Sequence, residues 1–414
     1  MKAERSAGTY RIPGLSITDH EFSLPLDHAQ PQRGTIGVFA REIADIEGQD
    51  RPFLVFFQGG PGHEAPRPLS AEEPRWLKRA LRDYRVLMLD QRGTGRSTPV
   101  GRLPGMSPGQ QAQYLKFFRA DSIVRDAEHV RRELGVDRWS VLGQSFGGFC
   151  VVTYLSLAPA AIAEAFVTGG LPPIATPIDD IYRATYRRVI QRNHRFYERY
   201  AADRARVQAI HRHLDETGLT LPSGDRLTSR RFRQLGQMLG MSDGAEKLHY
   251  IVELPVDSPA FAHDVEAALP FSRNPLYAIL HEACYGDGFR SDWSAQRVLP
   301  PEFEDTDLFT GEMVYPWMFE EYAALRDLRE AAIILAQEAW QPLYDADCLR
   351  RNTVPAAAII YTEDMYVERA FSEETASIIR GLRPWITSEY EHNGLRADGE
   401  RILDKLSGLV HDPI

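Results

Sequence analysis

A mostly parallel, doubly wound α/β sheet carrying a long helical insertion is the fold class this chain predicts, and three observations predict it. Continuous apolar runs of strand length recur at residues 53–57, 84–89, 139–142 and 165–168, the mark of strands buried on both faces by covering helices. Helical patterns separate the runs, and such alternation signals a parallel sheet. The alternation stops near Pro172 and resumes at residues 355–361 and 385–390. A core split by an insert accounts for 414 residues without a second independent domain. The expected organisation is core at 1–171, helical cap at 172–347 and the remaining core at 348–414.

In chain order, residues 16–43 carry a β pattern of two runs around a polar turn with Pro31, which predicts two antiparallel strands at a sheet edge. A helix is expected within 71–81. Residues 121–134 are amphipathic, with Ile123, Ala127, Val130 and Leu134 on one stripe and Asp121 or Ser122 as the expected cap. The insert reads as helices and loops, including 181–213 and 320–340, and a helix over 372–380 separates the last two strands.

Composition excludes several classes. A 43% hydrophobic, 26% charged chain is that of a globular protein, and a net charge of −10 argues against nucleic-acid binding, which calls for a basic stripe. No run reaches the eighteen or so apolar residues of a membrane span, and the opening M-K-A-E-R-S has no apolar signal core. The cytoplasm is therefore the expected location, with no membrane partner. Cys150, Cys284 and Cys348 are widely spaced, which suits reduced thiols. No metal-binding spacing such as H-E-x-x-H occurs, and neither a metal nor a cofactor is expected.

The stretch 138–150 reads as strand, tight turn and helix, and its G-Q-S-F-G at 143–147 fits the nucleophile elbow G-x-S-x-G. That pattern is weak by itself, so its context between an apolar strand and an apolar helix carries it. A serine hydroxyl needs a base to take its proton and a third group to orient the base. With an elbow those partners follow as acid, then histidine, after late strands. Asp364 and His392 satisfy the order, with Glu363 as the rival acid. His63 lies before the nucleophile, and His211 and His213 lie in the insert, where a two-residue spacing points them apart. Acyl transfer also needs N–H donors for an oxyanion. The glycines Gly59 and Gly60, after the 53–57 strand, and the N–H of Phe146 are the candidates. A phosphate-cradling role for the 58–62 loop lacks the G-K-[ST] ending.

Three motifs in order, Q-G-G-P-G at 58–62, D-Q-R-G-T-G-R-S at 90–97 and G-Q-S-F-G-G at 143–148, resemble the signature set of the proline iminopeptidases. The resemblance runs from about residue 50 to the C-terminus and is strongest in the core. It departs at Gln58, where the family usually has histidine, a change that leaves the backbone donors intact. The 90–97 stretch reads mainly as a structural turn. The resemblance implies an α/β-hydrolase fold with a helical cap and a serine aminopeptidase that removes N-terminal proline from small peptides. It also implies cap acids that grip the free amine. Glu282, in E-A-C-Y at 282–285, resembles the first, and Glu312 is the choice for the second, with Tyr285, Tyr315 and Trp317 expected to suit a proline ring. An esterase or amidase acting on uncharged acyl groups, or a non-catalytic binding protein, stays open as an alternative because a fold does not fix a substrate.

Overall fold

The computed structural model describes residues 8–304 and 307–411, so the opening 1–6 stretch read for a signal lies outside the described residues. Among these residues nine strands form one sheet: β1 Gly8–Ile12, β2 Leu15–Pro25, β3 Thr35–Asp45, β4 Phe53–Phe57, β5 Arg85–Leu89, β6 Trp139–Gln144, β7 Ile162–Thr168, and, beyond a small hairpin of β8 Leu219–Thr220 and β9 Arg226–Leu227, β10 Ala356–Tyr361 and β11 Leu382–Thr387. Their order is β1-β2-β3-β5-β4-β6-β7-β10-β11. Pairing is antiparallel from β1 to β5 and parallel from there to β11.

The alternating side chains explain how both faces fill. Val55, Phe57, Val141 and Val167 join one buried cluster, while Leu54, Phe56, Leu142 and Phe166 join the other. Helix α1 Leu77–Asp83 packs with the C-terminal helix Gly399–His411 on the second side. On the first side lie α2 Pro108–Leu115, α3 Ala120–Glu133 and α4 Phe146–Leu157. Period-two burial is what a strand imposes, and a sheet covered on both sides can afford continuous apolar strands.

The edge differs from the two-strand expectation. β1 is a third antiparallel strand, and its residues are almost all exposed, so no apolar pattern announced it. Nor does Asp121 or Ser122 cap α3. Arg119 holds the N-cap position without a side-chain cap bond, and Asp121 sits in the first turn, where its charge complements the helix's positive end and pairs with Arg125 at 2.8 Å.

Between β7 and β10 the chain forms the inserted helical cap. The stretch 181–213, expected as helices and loops, falls in two helices, α5 Ile178–Arg199 and α6 Asp203–Glu216. Likewise 320–340 holds three short pieces, Met318–Glu321, Ala323–Arg326 and Arg329–Ala336. The first break falls at Tyr322, which is fully buried with an extended backbone and donates its hydroxyl to Gln234 at 2.7 Å. Burial of that phenol with its hydrogen bond outweighs the local helix preference. No helix among the described residues is long and apolar enough to cross a membrane.

Candidate active site

Ser145 sits between β6 and α4 at φ 53°, ψ −125°, a conformation that costs a non-glycine residue roughly 1–3 kcal/mol. Close backbone packing holds it there. A Cβ on Gly147 would lie 1.9 Å from the Phe57 carbonyl oxygen, one on Gly143 2.2 Å from the Gly147 carbonyl oxygen, and one on Gly170 2.2 Å from that of Ser145. The Ser145 N–H donates to Thr168 at 2.9 Å, and its carbonyl accepts from Gly148 at 2.7 Å. Glycines thus let β4, the β7 end and α4 converge on one serine.

Gly59 follows β4, and a Cβ there would meet Ser145 Cβ at 3.0 Å and its Oγ at 3.6 Å. The loop therefore passes too close to the Ser145 side chain to leave room for a larger residue at 59, and Gly60 turns at φ 128°. Gln91 donates to the Gln58 carbonyl at 2.9 Å. Asp90 anchors the same region by accepting from Arg67 at 2.6 and 3.0 Å and from the N–H of Ala65 and Arg96. Fully buried Arg92 reaches Asp126. The 90–97 motif is in this way a pin under the site.

Asp364 lies three residues past β10 and is buried. One of its carboxylate oxygens accepts the N–H of Tyr366 at 2.8 Å and Val367 at 3.0 Å, and the other lies 2.7 Å from His392 Nδ1. Burial acts to lower the His392 pKa, but the Asp364 carboxylate, by charge and hydrogen bond, with Glu312 and Glu391 adding charge, raises it above its ordinary value. The Tyr366 ring stands edge-on to the imidazole at 4.7 Å. Glu363, the rival acid, points away and pairs with Arg195 at 2.7 Å.

A cavity of about 810 Å³ opens over this group, lined by Ser145, His392, Gly59, Gly60, His63 and Glu312 among others. Glu312 accepts from the Tyr277 hydroxyl at 2.6 Å, with His281 Nε2 3.7 Å away. Burial alone would raise its pKa. Hydrogen bonding and charge from His281, and the Tyr277 bond, bring it below the ordinary carboxylate value, so it carries charge near neutrality.

The other cap residues stand elsewhere. Glu282, Tyr285, Tyr315 and Trp317 do not line this cavity. Glu282 is buried, accepts the Ala295 N–H at 2.8 Å and borders a separate small void of about 20 Å³. Burial pushes its pKa up to about 7. Tyr285 packs edge-on against Phe149 and Tyr182, and Tyr315 stacks on Trp317 and bonds Tyr186 at 3.0 Å. The cavity's aromatic walls are instead Tyr250, Tyr277 and Tyr366. Tyr277 and His281 escaped the sequence reading. Their i, i+4 spacing behind a proline-initiated helix was the available signal. Among the described residues no group of three or more potential ligands could hold a metal.

Comparison with known proteins agrees with this architecture. Residues 52–395 match the family described as alpha/beta hydrolase fold. The proline iminopeptidase of Aeromonas sobria is 48% identical, covering 97% of this chain and 98% of its own. One from Aspergillus aculeatus is 35% identical over 97% of this chain and 95% of its own. The crystal structure of esterase E22 superposes with a TM-score of 0.50 at 10% identity, covering 95% of this chain and all of that one, which speaks to the fold alone. With identity sustained across nearly the whole chain, and the sheet, elbow and cap in place, this chain belongs to the proline iminopeptidase family of α/β-hydrolases.

Proposed function

We propose that the protein is a serine aminopeptidase releasing N-terminal proline from small peptides, with Ser145 as nucleophile, His392 as base and then acid, and Asp364 as its orienting partner. The observation that carries this reading is the charged, half-buried Glu312 facing the same cavity as Ser145 and His392. An exopeptidase must detect a cationic terminus, and a carboxylate in a partly dry pocket does so by a charge-assisted hydrogen bond. The 172–347 cap is then the unit that reads the amine, and the core is the unit that does the chemistry.

In the first half-reaction Ser145 Oγ attacks the prolyl carbonyl while its proton passes to His392 Nε2. The oxyanion is received by N–H groups of Gly59 or Gly60 and Phe146. Collapse expels the peptide amine, which takes the proton from His392, and an ester on Ser145 remains. Water then attacks that ester, losing its proton to His392, and free proline leaves as Ser145 regains a proton. Asp364, held by two backbone N–H groups, fixes the imidazole tautomer throughout. Glu312, rather than Glu282, is the amine acceptor in this scheme, because Glu282 faces a different void. The three thiols are free, which supports a reducing compartment, the cytoplasm, as the working location.

The deciding experiment compares a proline arylamide, its N-acetylated form and a small acyl ester. Fast hydrolysis of the first and a large loss on acetylation support the aminopeptidase. Equal rates for the free and acetylated forms, with the ester fastest, would replace it with an esterase. A serine-reactive phosphonate that left Ser145 unlabelled would remove the covalent mechanism.

A further inference from the structure

Helix α5 of the cap carries Arg188, Arg192 and Arg195 at spacings of four and three, hence along one face, and all three reach core loops. The contacts of Arg192 stand apart from the others. Its guanidinium forks onto the Glu391 carboxylate, one arm at 2.7 Å, and also donates to the Glu363 backbone carbonyl at 2.8 Å. Glu363 directly precedes Asp364, and Glu391 directly precedes His392. One side chain, only 12% exposed, therefore ties together the residues next to the acid and next to the base. Arg195 adds a pair to the Glu363 carboxylate, whereas Arg188 binds Glu368, further along the chain.

We infer that Arg192 is a positioning residue for the hydrolytic reaction: the cap, through this guanidinium, sets the separation of the Asp364 and His392 loops. The two loops come from different strand ends and share no strand of their own beyond the β10–β11 pairing. The Asp364–His392 hydrogen bond spans them at 2.7 Å, so a small change in loop separation acts directly on it. A planar fork that bonds two loops at once restrains both distance and angle, which an ammonium would not do. Two further contacts support the same coupling. The His392 N–H donates to the cap's Gly240 carbonyl at 3.2 Å, and Asn393, the next residue, accepts from the N–H and hydroxyl of Ser242 at 2.9 Å each. The cap thus holds the base loop at three successive residues, 391, 392 and 393.

The inference rests on the reading of Ser145, Asp364 and His392 as the catalytic group, and the test separates the two. Active sites are titrated with a serine-reactive phosphonate, and kcat, KM, the pH profile of kcat/KM and Tm are then measured for the wild type, Arg192→Gln, Arg192→Lys, Glu391→Gln and Arg188→Gln. Misplacement of a catalytic pair on the ångström scale costs up to roughly a hundredfold. Arg192→Gln is expected to lose about ten- to a hundredfold in kcat per titrated site, with KM little changed. Its acid limb should move to higher pH, because Glu391 is left uncompensated beside the imidazole. The other ionisable groups acting on or touching His392 are Asp364 and Tyr366 from the acid loop and Glu312 from the cap; Arg396, elsewhere on the cavity wall, pairs with Asp243, and none of them changes. Arg192→Lys keeps a positive charge without the fork, so it should hold the acid limb while still losing kcat. Glu391→Gln removes the fork from the core side and serves if an α5 variant fails to fold; it should lose kcat and move the acid limb to lower pH. Arg188→Gln removes a neighbouring clamp that touches neither adjacent residue, and its kcat per site should stay at the wild-type value. Wild-type kcat per titrated site and an unmoved acid limb in both Arg192→Gln and Glu391→Gln, whatever their Tm, would overturn the positioning role and leave Arg192 a structural weld. Absence of labelling at Ser145 in the wild type would instead overturn the catalytic reading itself.

Discussion

The elbow and the Glu312 end of the cavity are two parts of one pocket built by opposite means. At Ser145 the geometry comes from backbone against backbone, with glycines so tightly packed that a single added carbon at Gly147 would overlap the Phe57 carbonyl. At Glu312 it comes from long side chains reaching across the cap, as Tyr277 and His281 do to bond and charge-compensate one carboxylate. A backbone device leaves a short, contiguous signature in the sequence. A side-chain device leaves residues scattered over the insert, each of a type common on any helix. In the proposed mechanism the chemistry follows the same division: the rigid half performs the acyl transfer, and the adaptable half selects the substrate.

The largest expected effect lies in the rigid half. Ser145→Ala or His392→Ala should reduce kcat on the order of a millionfold and Asp364→Ala about ten-thousandfold, since such groups act as a unit. Glu363→Ala should retain most turnover, and near-normal turnover in Asp364→Ala alone would reverse the choice of acid. Because the His392 pKa is raised and the imidazole must be neutral to act as base, kcat/KM should fall as pH drops through a value above the ordinary 6.5 for histidine.

The same half also bears the steepest packing demand. Gly147→Ala should lower stability by about 3 kcal/mol or prevent folding. Gly408→Ala, on the C-terminal helix with nothing within 4 Å of the new methyl, should raise stability by about 0.5–1 kcal/mol. Equal Tm shifts of the two variants in thermal melts would remove the argument that contact, rather than residue type, decides.

In the adaptable half the two cap glutamates should separate. Glu312→Gln removes a charge-assisted contact of about 1.5–3 kcal/mol, so kcat/KM for free proline arylamide should fall roughly ten- to more than a hundredfold, while a small ester is spared. Glu282→Gln should leave that ratio nearly unchanged and act on stability instead. Its folded pKa of about 7 exceeds its ordinary 4.5. The folded state therefore holds more protons between those values, and stability falls as pH rises through that window by about 3 kcal/mol. Melts of Glu282→Gln should lose this slope. Parallel Tm–pH curves for variant and wild type would refute the buried, proton-holding state.

How much of this could be read beforehand depended on the range of the contacts. The runs at 53–57, 139–142 and 355–361, which form β4, β6 and β10, were legible because burial on both faces demands mostly apolar residues. β1 was not, because it is held by ladder bonds while its side chains stay exposed. In the cap, the 320–340 stretch was legible as helix and loop, but not the place of its first break, where Tyr322 is drawn into the core. Glu282 and Tyr285 resembled a site motif, yet packing turned them to a different void and a different aromatic cluster.

The parallel core, the tight serine turn between glycines and the order of acid and histidine behind it are written in the chain's local pattern, because each depends on neighbours a few residues apart or on strand ends that the topology must align. Which cap carboxylate shares a cavity with Ser145, that Tyr277 and His281 surround it, and that Arg192 joins the two loops of the Asp364–His392 pair emerge from the folded chain alone. Those assignments depend on side chains meeting across the fold, where the direction of a helix face, and not its local pattern, fixes the partner.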